Sequence, residues 1–181
     1  MIGHNGGPSV EGGASWRRHC WTAAREALLP TLPIEVVRTR VKRARDLGLD
    51  YRTYASVRAQ TGHDLVAFLF SSNALRVDAR GPRMAAARAE KLSLVQAGRI
   101  GLAVTGLRPE MLAEANPVLD RAAPAPAHLA PWAEARRQIR QILDGLPPDR
   151  VLLVGDMGLE RDWVAAGRLA YYLPADRYFT P

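Results

Sequence analysis

The sequence predicts a mainly α protein: an N-terminal helical bundle that contains a basic hairpin, then a smaller C-terminal α/β element with one or two short strands. Three observations lead there. Ile34, Val37, Val41, Ala44 and Leu47 recur at three- and four-residue spacing, the signature of an amphipathic helix. Alanine and leucine dominate the segments that follow. Only "VLLVG", 151–155, reads plainly as a strand.

The elements follow in order. Residues 1–13 are glycine-rich and polar, and are expected to be a disordered tail. Ser15 is a good N-cap for a helix that carries Trp16 and Cys20 on one stripe and stops before Pro30. Pro33 suits the first turn of the next helix, and Gly48 suits the left-handed residue that closes it. Asp50 then caps "YRTYASVRAQ". Thr61 and Asp64 have capping-box spacing ahead of "LVAFLFSSNAL", which favours a helix there, with a strand over 65–71 as the alternative. This completes a helical domain over 14–77. A second helical segment spans 82–120, opening at Pro82 and leaving 100–105 open between helix and strand. "RAAPAPAHLAP", 121–131, reads as a semi-rigid linker. The C-terminal helix–strand–helix element covers 132–181, its last helix running from Gly158 to Leu173.

Composition bounds the function. No apolar run approaches membrane-spanning length, and the N-terminus lacks the basic and apolar regions of a secretory signal, so a cytoplasmic location is expected. Cys20 has no partner for an internal disulfide, and His4, His19, His63 and His128 are scattered, so neither metal nor cofactor is expected. No GxSxG, Walker A, GxGxxG or HExxH pattern occurs. The formal charge is +7, and 23 of the 25 basic residues are arginine. Arginine with abundant alanine is also what GC-rich codon usage writes, so position is more informative than the total. Residues 1–62 carry net +5 and the remainder net +2.

That excess converges on "VVRTRVKRARDLGLDYRTYASVRAQTGHD". Ala44 is small where two helices must approach, Leu47 and Leu49 flank the glycine, and Val57 can bury against the first helix. Over Arg40 to Ala59 the stretch resembles a helix-turn-helix. Tyr54 stands where a branched aliphatic is usual, and the first helix is longer than that motif has. The resemblance implies a partner, duplex DNA before RNA. Arg38, Lys42 and Arg45 would neutralise phosphates, while Tyr51, Arg52 and Ser56 would face the groove. An accessory or regulatory role follows, with a homodimer to strengthen binding.

Two other readings compete. "DRVLLVGDMGLERDWVAAGRLAYYL" is similar to the last motif of the haloacid-dehalogenase phosphohydrolases. The resemblance implies Mg²⁺ held by Asp156 and Asp162, a hydroxyl motif at Ser72-Asn73 and a lysine at Lys91. The family's Asp-x-Asp is absent from the chain, which leaves the covalent step without a carrier. "AYYLPADRYF" offers Tyr171, Tyr172, Tyr178 and Phe179 as anchors for a protein partner, in an interaction module without chemistry.

Overall fold

The computed structural model describes residues 32–180. The chain divides into two compact units, residues 1–38 and 39–181. The expected tail and the helix beginning at Ser15, with Cys20, lie outside the described residues. In the first unit, the amides of Val36 and Val37 bond to the carbonyl of Pro33, at 2.9 and 3.2 Å, so Pro33 opens α1, Ile34–Asp46, as its fixed φ favours.

The second unit is built on a five-stranded sheet of order β3-β2-β1-β4-β5, parallel at every pairing. Its strands are β1 Ala67–Ser71, β2 Gly98–Ala103, β3 Arg121–Pro124, β4 Val151–Gly155 and β5 Tyr171–Pro174. α2 Tyr51–Thr61 precedes them, α3 Ser72–Leu75, α4 Ala86–Ser93, α5 Pro109–Ala115, α6 Trp132–Leu143 and α7 Arg161–Gly167 lie between them, and α8 Ala175–Phe179 follows. The fold is therefore α/β, which overturns the mainly α expectation.

Each departure has a physical cause. Residues 67–71 form the central strand, not a helix, and every one of them is buried. A parallel strand covered on both faces reads as a continuous apolar run, without the alternation that marks a half-exposed one. The apparent capping box is also used otherwise. Thr61 ends α2 and its Oγ1 bonds back to the Val57 carbonyl at 3.0 Å, while Asp64 is held by Arg43 and Tyr54. Residues 98–103 resolve the second ambiguity as strand. Arg121–Pro124, within the stretch read as linker, forms β3 at the sheet edge, where a proline is tolerated. The helix expected over Gly158–Leu173 is broken by Arg168 in the left-handed region, φ 56°, and the chain re-enters the sheet as β5.

Alternation along the strands separates two layers. Phe68, Phe70, Leu152 and Val154 face one side, against Leu47, Tyr54, Val57, Leu92, Leu112 and Tyr178. Ala67, Leu69, Val151 and Leu153 face the other, against Ile139, Ile142 and Trp163. The hairpin expected from "LGLD" is present within the first layer. Gly48 has φ 66°, and the Leu49 amide reaches back to the Ala44 carbonyl at 2.9 Å. Asp50 caps α2 by accepting from the Thr53 amide at 2.8 Å.

A paired side chain fixes the entry to the edge strand. Asp120 accepts from the Arg99 guanidinium and the Arg99 amide, each at 2.7 Å, as the chain enters β3. Burial pushes its carboxyl up, but the bonds from Arg99 outweigh burial and the net shift is downward. A depressed carboxylate contributes stability above its unfolded pKa of about 3.9, and loses it as pH falls through the lower folded value. Asp120→Asn should therefore lower stability near neutrality by about 1 kcal/mol or less, given the screening of a half-exposed pair. Urea midpoints at neutral pH and well below pH 4 check this. The gap between wild type and variant should close in acid, and a gap that ignores pH would reject the assignment.

Candidate nucleic-acid interface and the crevice at the strand ends

In the second unit, α1 turns Ala44 into the core and leaves Lys42 and Arg45 exposed. Arg43, on the side toward the sheet, is engaged with Asp64 at 2.8 Å and with the carbonyls of Leu65 and Gln96 at 2.9 and 3.0 Å. It fastens the helix and is not available to a ligand. α2 buries Thr53, Tyr54 and Val57, so Arg52 and Ser56 face solvent and Tyr51 is half-buried. Among the described residues Lys42, Arg45 and Arg52 have no carboxylate within ion-pair distance. Arg38 belongs to the first unit, where it pairs with Glu35 at 2.8 Å.

The structure adds to this surface a cation that the sequence groups with the C-terminal aromatics. Arg177, on α8, donates to the Thr53 hydroxyl at 3.1 Å and so stands beside the first turn of α2. Burial pushes the Asp50 carboxyl up, but the hydroxyl and amide of Thr53, with the charge of Arg177, carry it below the ordinary carboxylate range. The start of α2 thus carries Arg52 and Arg177 around a single capping acid. The separation of 124 residues between Thr53 and Arg177 left no local signal to find it by.

The C-terminal aromatics offered for a protein partner are largely turned inward. Tyr178 is 1% exposed, and its ring lies 5.6 Å from Phe70 and 5.8 Å from Phe68. Phe179 takes the Arg88 guanidinium over its face at 4.2 Å. Tyr172 donates to the Met157 carbonyl at 3.0 Å under Arg161. Tyr171, like Phe179, is partly buried against the first core layer.

A doubly wound sheet leaves a crevice at the C-terminal strand ends, where its connections diverge. Here that point lies between β1 and β4, and it is bridged. Glu160, fully buried, accepts from the Asn73 amide at 2.9 Å and from the amides of Asp156 and Met157 at 2.8 and 3.2 Å. A Cβ on Gly155 would collide with the Glu160 carboxylate and stand 2.6 Å from the Tyr172 ring, so only glycine fits beside this bridge. Beside it a cavity of about 270 Å³ opens, with Ser72, Asn73, Asp78, Arg80 and Thr105 on its wall. Ser72 already accepts from the Val104 amide at 3.2 Å. Hydroxyl and amide groups are on offer there, but Ser71 ends β1 and Ser72-Asn73 open α3, so no carboxylate stands at that strand end as nucleophile.

The set implied by the phosphohydrolase resemblance does not come together. "FLFS" is the central strand, and Asp156 and Asp162 are exposed on the loop and helix after β4. Among the described residues no three acidic, histidine or cysteine side chains gather where they could share an ion. Lys91 bonds to the Tyr178 carbonyl and lies 4.8 Å from that ring, and burial lowers its pKa. These residues do not fit a Mg²⁺ centre. No family model, no curated protein and no solved structure matches the chain.

Proposed function

We propose that the protein binds nucleic acid, duplex DNA first, through the exposed cations of the α1–α2 hairpin. The reading is carried by one observation: Lys42, Arg45 and Arg52 are exposed without carboxylate partners among the described residues, while Asp50 is engaged as a cap and Asp64 as a clamp. Cations held on folded helices repel one another until an anion relieves them, and a phosphate backbone supplies anions in series. Arg52 and Ser56, exposed on α2, would meet base edges, with Tyr51 beside a phosphate. A cytoplasmic location goes with this role. Among the described residues no helix is long and apolar enough to cross a membrane.

A gel shift on random duplex at two salt concentrations tests the reading. Binding should be tight at low salt and fall steeply as salt rises. No retardation at low salt, or retardation indifferent to salt, would reject it.

A further inference from the structure

On the sheet face opposite α2, α6 buries Ala135, Ile139, Ile142 and Leu143, which turns its other side to solvent. Arg136 and Arg140 stand one helical turn apart there, about 6 Å along the axis, with Arg137 alongside. Arg168 ends α7. Two open cavities, of about 540 and 430 Å³, share Arg136 and Arg140 as common wall. They form one groove, with Trp132 at one end and Arg168 at the other.

Two features of this groove lack an internal explanation. None of its four guanidiniums has a carboxylate within ion-pair distance among the described residues. Glu134, the acid on α6, is turned to Gln138 at 3.5 Å, and Asp144 is the exposed C-cap beyond the helix. Trp132 is 55% exposed, an uncommon state for so large an apolar side chain.

We infer that this groove is a second binding site, and that its occupant is a short run of single-stranded nucleic acid. Guanidiniums one turn apart present forks to successive phosphates. An exposed indole at the end of such a row is a platform for one base, a face that a duplex keeps stacked inside. An acidic peptide would satisfy the arginines but would need an aromatic residue in the right place for the indole, whereas every nucleotide carries a base to stack on it. The inference shares a partner class with the hairpin reading but stands on different residues, on the other face of the sheet.

The test is a titration of the full chain with a short labelled oligothymidine, read by anisotropy and by tryptophan emission. Wild type should bind with quenching. Arg136→Ala/Arg140→Ala should weaken binding at least about tenfold, as loss of two phosphate contacts requires. Trp132→Leu should weaken it by about tenfold and, in a Trp16→Phe/Trp21→Phe background that leaves only the buried Trp163 beside it, abolish most of the quenching. Lys42→Ala/Arg45→Ala/Arg52→Ala should leave this binding intact, so the hairpin reading can fail while this one holds. Affinity unchanged in the double arginine variant, emission that does not respond in wild type, or equal competition by polyglutamate would overturn the inference. Because Trp132, Arg140, Lys42, Arg45 and Arg52 are exposed and Arg136 is half-exposed, unchanged circular dichroism melting should accompany each variant.

Discussion

Glu160→Ala should lower the unfolding free energy by about 3–5 kcal/mol, the range seen when one member of a buried charged network is removed. Its carboxylate is fully buried and accepts three hydrogen bonds, from the Asn73 side chain and from the amides of Asp156 and Met157. Truncation strands all three donors, each at about 1–3 kcal/mol where water cannot replace the partner. It also opens a void beside Gly155 and Tyr172. For a chain of this size the thermal midpoint should drop by roughly 10 °C. Glu160→Gln is the informative companion. It keeps the shape and one accepting oxygen but turns an amide toward donors, and should cost about half as much as the alanine. A melt in which Glu160→Ala lies within a degree or two of wild type would show that water enters the β1–β4 junction, and that the bridge does not hold it closed.

That bridge illustrates which parts of the fold could be read from the chain. Gly48, Asp50 and Pro33 announce themselves because a left-handed residue, a cap and a fixed φ act on their own few neighbours. The sheet does not announce itself in this way. β1 is covered on both faces, so its apolar run carries no period to separate it from a buried helix. β3 is four residues long and ends in proline at an edge, and its composition is that of a linker. β5 begins with two tyrosines that read as an exposed anchor until Tyr172 is seen packed under Arg161. Glu160 looks like an ordinary first-turn acid in sequence. Its role depends on Asn73, 87 residues away, and only the order of the strands brings them together.

The same distinction applies to charge, because the sequence shows how many arginines there are but not which are engaged. Arg43 and Arg45 are two residues apart on one helix. The first is fixed to Asp64 and two carbonyls, and the second is exposed with no carboxylate partner among the described residues. Replacing each by alanine should therefore have opposite consequences. Arg43→Ala should destabilise the fold and leave duplex affinity almost unchanged where the variant is folded. Lys42→Ala/Arg45→Ala/Arg52→Ala should keep its melting temperature and lose its duplex. Each neutralised phosphate contributes about 0.9 to the slope of log affinity against log salt, so removing three contacts should flatten that slope by about 2.7. Between 50 and 200 mM salt, wild-type affinity should then fall about fortyfold further than that of the variant. Fluorescence anisotropy on one random duplex at both salts measures the four affinities directly. Equal slopes in wild type and variant would mean that the duplex lies on other residues, and α1 and α2 would then be no more than a cover for the sheet.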